Sequence, residues 1–198
     1  MNVKEKGNRY ERLITKDLSL WWSNGKSKDI FYKTQSSGGR ATIRQKRKNE
    51  KKLIRQYGDI AASDPDGELF ISVFCIECKH YKDVNFWGLM TDSKGGLLSF
   101  YEQNIKDSSS CNKLPLCIIR QNYKPILCIT KYSICTQILK NIFSIPMLLS
   151  TKYELGVFSF NDFIKTDIDK FKDVLRYLRG EILMDIGDLN DKIEIRSS

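Results

Sequence analysis

Glu77 and Lys79 interrupt a run that is otherwise suited to burial, Leu69-Phe-Ile-Ser-Val-Phe-Cys-Ile-Glu-Cys-Lys79. If the run is an extended strand, its side chains alternate. Ile71, Val73, Cys75, Glu77 and Lys79 then share one face, and Phe70, Phe74, Ile76 and Cys78 the other. A carboxylate beside an amine at the rim of a buried strand can ligate a hard cation and hold a water or phosphate next to it. The simpler alternative is an ion pair at a strand end, and Glu-x-Lys alone does not separate the two. The partners that would decide it are Asp59, which follows Gly58, and Glu11 in the first helical segment.

These residues have to be positioned by the elements that carry them. From Gly7 to about Trp22 the apolar residues Tyr10, Leu13, Ile14, Leu18 and Trp21 recur at helical spacing, which predicts an amphipathic helix with Glu11 at the border of its apolar stripe. Ser23-Asn-Gly-Lys26 breaks that helix, and Ile30 to Gln35 reads as a strand. The strand runs into Ser36-Ser37-Gly38-Gly39-Arg40, a loop of hydroxyls, open amides and a guanidinium that could approach a phosphate closely. Tyr57 to Ser63, the turn Asp64-Pro-Asp-Gly67 and the run ending at Lys79 read as a hairpin, with Asp64 and Asp66 assigned to the turn. A tight turn there would pair Asp59 with about Ser72 and leave it ~16 Å short of Glu77, so a bulge or asymmetric loop is required.

Further along, Leu97 to Ile105 predicts a helix whose stripe is Leu97, Leu98, Tyr101 and Ile105, with Glu102 closer to it than Gln103. Leu116–Arg120 and Ile126–Thr130 read as strands, Tyr132–Phe143 as a helix and Val157–Phe160 as an edge strand. Asp167 to Ile182 carries apolar residues at 168, 171, 175, 178 and 182, a nearly heptad stripe expected to dock on the parent domain, with a homodimer seam as the alternative.

The totals bound the class. A chain of 198 residues with 41% hydrophobic content supports one domain with a sizeable core. No apolar run is long enough to span a bilayer, and the N-terminus lacks the apolar core of a signal peptide, so no membrane association and a cytoplasmic location are expected. The six cysteines lie mostly in strand-like runs, and Cys75 and Cys78 would point to opposite faces, which argues for reduced core residues rather than half a zinc site. His80, the sole histidine, falls on the face opposite Glu77, which argues against histidine-based chemistry.

Net charge is +9, and +7 of it falls between Arg40 and Gln56, where Arg40, Arg44, Lys46, Arg47, Lys48, Lys51, Lys52 and Arg55 face a single acid, Glu50. Basicity concentrated in this way suits a polyanion, with nucleic acid first and a membrane surface second.

The order helix with Glu11, strand, Ser/Gly/Arg loop, Gly58-Asp59, strand with Glu77-x-Lys79, helix, strand, strand resembles the PD-(D/E)xK nuclease superfamily. Within it, residues 5–131 look most like archaeal-type Holliday-junction resolvases and related phage endonucleases. The resemblance implies an α/β fold with a restriction-endonuclease-like core, a mixed central sheet flanked by helices. Residues 1–131 would form this core, with the basic stretch at about 40–56 as an insertion, and 132–198 a C-terminal helical extension of helix, edge strand and helix packed on the same domain. It implies Mg²⁺-dependent hydrolysis of DNA, with Mn²⁺ as a substitute, in replication or recombination, and in the host cytoplasm if the chain is phage-encoded. Asp59 and Glu77 would be the principal metal ligands, Glu11 an auxiliary one, and Lys79 the group that positions or activates water. Ser37, or equally Ser36, would place a hydroxyl near the scissile phosphate, and Gln103 resembles the glutamine that follows the Glu-x-Lys strand in many members. Gly58 stands where the superfamily's name has Pro. The competing readings are a non-catalytic nucleic-acid-binding module with a nuclease-like fold and an RNA-directed nuclease.

Overall fold

The computed structural model describes residues 3–34, 57–88, 96–139 and 144–197. Ser36, Ser37 and the basic stretch 40–56 lie outside them. A short antiparallel pair, β1 (Phe31–Lys33) and β2 (Ile60–Ala62), stands beside a five-stranded sheet. The sheet comprises β3 (Phe74–Tyr81), β4 (Leu114–Gln121), β5 (Ile126–Lys131), β6 (Met147–Ser150) and β7 (Leu155–Ser159), in the order β3-β4-β5-β7-β6. β3 and β4 run parallel, with Glu77 opposite Cys117 and Lys79 opposite Ile119, and the other neighbours are antiparallel. A parallel pair needs a long crossover, and helix Leu97–Ser109 lies within it.

The strands alternate between two apolar layers. Phe74, Ile76, Cys78, Leu116, Ile118 and Phe158 face one, and Cys117, Ile119, Ile129 and Val157 the other. The first layer is closed by α1 (Val3–Trp22), α2 (Glu68–Val73) and two later helices, and the second by α3 (Leu97–Ser109). After β5 the chain forms α4 (Tyr132–Ile134) and a π-helical turn, Cys135–Leu139, and after β7 it forms α5 (Phe160–Phe163) and α6 (Ile168–Ser197). The result is the α/β architecture expected, a mixed sheet between helical layers, compatible with a restriction-endonuclease-like core. The stripe on α6 is taken up by the chain's own core: Ile168, Phe171, Leu175 and Leu178 are all buried.

The run Leu69–Lys79 is not one strand. Asp64 accepts a hydrogen bond from the Asp66 N–H at 2.8 Å, Pro65 starts a single 3₁₀ turn, Pro65–Gly67, and the chain passes directly into α2. Local β propensity loses here to packing, because a helix places Phe70 among Trp21, Trp22, Phe31, Phe74 and Phe171. Six residues of helix advance ~9 Å where an extended chain would advance ~20 Å. This shortening, rather than a bulge, goes with Asp59 standing level with Ile76 and Cys78 in the middle of β3. β7 is also not an edge strand, since β6 pairs with its far side. β6 is short and half exposed, so little in its sequence marks it as a strand before β7 is there to pair with.

Candidate active site at the sheet edge

β3 is the outer strand of the sheet, and its open edge is met by Gly58 and Asp59. The Asp59 N–H donates to the Ile76 carbonyl at 2.7 Å, and its carboxylate accepts from the Cys78 N–H at 2.8 Å. From the other side, the Thr34 N–H donates to the Asp59 carbonyl at 2.9 Å and its hydroxyl to the Gly58 carbonyl, also at 2.9 Å. Asp59 is thus clamped between β1 and β3, its carboxylate bonded to the amide that follows Glu77.

Gly58 has φ of +80°, and a Cβ added to it would lie 2.5 Å from the Ile76 carbonyl oxygen. Proline, fixed near φ −65°, could not replace it in this backbone, which accounts for glycine where the superfamily's name has Pro. Gly58→Ala is expected to cost about 1–3 kcal/mol and to push Asp59 off the strand edge. Thermal melting would show the loss, and exchange of the Cys78 amide would accelerate once its acceptor moves.

Glu77, 7% exposed, and Asp59, 4% exposed, are both buried, and Lys79 pairs with Glu77, its Nζ 2.6 Å from Glu77 Oε1. Burial, reinforced by the charge of Asp59 and only partly offset by Lys79, pushes the Glu77 carboxyl up to about 7. Burial disfavours the charge on Lys79, but the hydrogen bond and charge of Glu77 outweigh it and hold the ammonium above the ordinary lysine value. Among the described residues the two buried carboxylates therefore have one paired lysine between them. Among the described residues no three His, Cys, Asp or Glu side chains form a ligand cluster. Two carboxylates completed by water and phosphate oxygens suit Mg²⁺, which keeps much of its hydration, better than they suit zinc.

The other candidates fall around this pair. Gln103 lies on the exposed side of α3, yet its Oε1 is 3.4 Å from Lys79 Nζ, because α3 packs alongside β3, with Phe100 on Tyr81 and Asn104 on Cys75. Glu11 accepts from Lys33 Nζ at 3.0 Å, and Lys33 also donates to Asn8 Oδ1 at 2.8 Å. Burial, against the Lys33 contact, raises the Glu11 carboxyl, with the charge of Asp59 adding to the rise. His80 points away, its ring against Tyr10 at 5.1 Å and Nε2 3.1 Å from Asn122 Oδ1.

Lys33 and Thr34 are the residues that sequence reasoning missed. Their only signal is period two in β1, where Lys33 shares a face with buried Phe31. Asn104 is missed as well: fully buried on α3, it donates to the Cys75 carbonyl at 3.1 Å and anchors the helix to β3.

A mixed sheet between helices, with a Glu-x-Lys on its outer strand and an Asp bonded to that strand from the start of β2, which pairs with β1 and not, as a hairpin would, with β3, defines a protein with a restriction-endonuclease-like core. The model of the family described as "Phage putative PDDEXK endonuclease" matches residues 2–177, and the chain belongs to that family. No curated protein and no solved structure matches the chain. Among the described residues no helix is long and apolar enough to cross a membrane.

Proposed function

We propose that the chain is a Mg²⁺-dependent DNA endonuclease acting on Holliday junctions or other branched DNA, with Asp59 and Glu77 holding the ion and Lys79 positioning or activating the attacking water. The observation that carries this reading is the pair of buried carboxylates, Asp59 held on the Cys78 amide and Glu77 next to it on β3, with Lys79 paired to Glu77. An ion held there would supply Lewis-acid stabilisation of charge on phosphate oxygens and a more acidic water. Lys79 orients that water or stabilises the hydroxide, and its own orientation is set by Glu77 and Gln103. Asp59, fixed by its main-chain bonds, keeps its carboxylate in place without reorganisation as charge develops. Glu11 is an auxiliary acid held by Lys33 at the border of the site.

Ser37 and the basic stretch from Arg40 to Arg55 would complete the phosphate-binding side and supply most of the affinity for a polyanion. Branched DNA as substrate, as for the Holliday-junction resolvases, rests on the sequence resemblance.

The decisive measurement is cleavage of four-way junctions, flaps, duplex and single strands, and of their RNA counterparts, with Mg²⁺, with Mn²⁺ and in EDTA. Cutting of DNA with either ion and none in EDTA is expected. A chain that binds these substrates with steep salt dependence but cuts none under any metal is a binding module, and one that cuts only RNA is a ribonuclease.

A further inference from the structure

Beyond Lys79 the end of β3 carries a feature that the cleavage chemistry does not use. Tyr81 follows Glu77 and Lys79 on the same face of the strand and is 41% exposed. Its ring lies flat on Phe100 of α3, with centroids 4.6 Å apart and planes 15° from parallel. The Phe100 ring is in turn 5.9 Å from Lys79 Nζ, so the stack begins where the lysine ends. The Asn122 N–H donates to the Tyr81 carbonyl at 3.1 Å, which brings the β4–β5 turn to the same end of the sheet. That turn presents Tyr123, 99% exposed, and Lys6 Nζ donates to its Asn122 Oδ1 at 2.8 Å. Lys82 and Lys124 are both exposed next to these aromatics.

Phe100 has a packing role, since it leans on the core beneath α3. Tyr81 adds little to that core, and an aromatic ring left open on a cationic rim is what single-stranded nucleic acid uses. The positive rim selects a polyanion, and the flat open ring selects an unpaired base, because in a closed duplex both faces of every base are already stacked.

We propose that Tyr81, stacked on Phe100, is a platform for an unpaired nucleobase flanking the scissile phosphate, so that the enzyme discriminates in favour of flaps, other branched DNA with an unpaired segment, and single strands over closed duplex. The position of the scissile phosphate rests on the nuclease reading above, whereas binding of the base does not.

The test uses the full chain carrying Asp59→Asn, so that binding is read apart from cutting. It uses flap DNA with 2-aminopurine in the unpaired segment beside the branch, and a fully paired duplex of the same sequence. Removing one base-stacking ring is expected to lower the affinity for flap relative to duplex by roughly 5- to 150-fold. Tyr81→Ala should show this fall and lose the quench of 2-aminopurine, and Tyr81→Phe should keep both. Tyr81→Leu, which covers Phe100 without a π face, should behave as Tyr81→Ala; circular dichroism and melting temperature confirm that each variant is folded. Wild-type discrimination and quench in folded Tyr81→Ala and Tyr81→Leu would overturn the platform while leaving the nuclease reading intact. Absence of cleavage by the unsubstituted chain, with the binding difference still present, would sink the nuclease reading and keep the platform.

Discussion

Asp59→Asn is expected to slow metal-dependent cleavage by about 10²- to 10³-fold or more while leaving the fold intact. The substitution keeps an oxygen that can accept from the Cys78 amide, and it touches neither main-chain bond that holds the residue, so geometry survives and charge is lost. Relief of the repulsion between Asp59 and Glu77 should leave the variant at least as stable as the parent, because Glu77 no longer has a buried like charge beside it. Lys79→Ala is expected to reduce the rate by about 10²- to 10⁴-fold, the range for a proton-handling side chain. It also leaves Glu77 buried without its 2.6 Å partner. Cys78→Ala is the matched comparison. Its thiol packs with Ile76 in the layer opposite Glu77 and its amide is retained, so cleavage should persist at a cost of about 1 kcal/mol in stability. Single-turnover rates on one substrate, with melting temperatures for all three variants, check this. Equal rates for Asp59→Asn and the parent would remove Asp59 from the chemistry.

Phe70→Ala is expected to destabilise the fold by about 3–5 kcal/mol, a large share of the ~5–15 kcal/mol typical of a domain. Phe70 is fully buried, with ring centroids 5.5 Å from Trp22, 5.6 Å from Phe31 and Phe74, 6.1 Å from Phe171 and 6.2 Å from Trp21. It therefore joins α1, β1, β3 and α6. Its loss also removes the main reason for Leu69–Val73 to be helical, so Asp59 should lose its register against Ile76 along with stability. Urea denaturation followed by tryptophan fluorescence, sensitive to Trp21 and Trp22, measures the effect. A loss below about 1 kcal/mol would show that the aromatic cluster is not what fixes α2.

Much of this protein can be read from the order and spacing of its residues. Helical spacing placed α1 and α3, and period two put Glu77 and Lys79 on one face with Cys78 behind them, because these patterns depend only on backbone geometry. The resemblance of Glu11, Gly58-Asp59 and Glu77-x-Lys79 to a nuclease pattern agrees with the family to which residues 2–177 match. Tertiary structure decided what spacing could not. Leu69–Val73 reads as a strand by composition, and the aromatic pocket around Phe70 made it α2, which in turn set the reach of Asp59. The left-handed backbone of Gly58 follows from its approach to the Ile76 carbonyl, a residue far along the chain. Gln103 sits off the apolar stripe of its helix, and it meets Lys79 only because α3 packs alongside β3. Lys33 beside Glu11, and Tyr81 on Phe100, likewise belong to separate segments that acquire a shared chemistry only when the sheet edge brings them together.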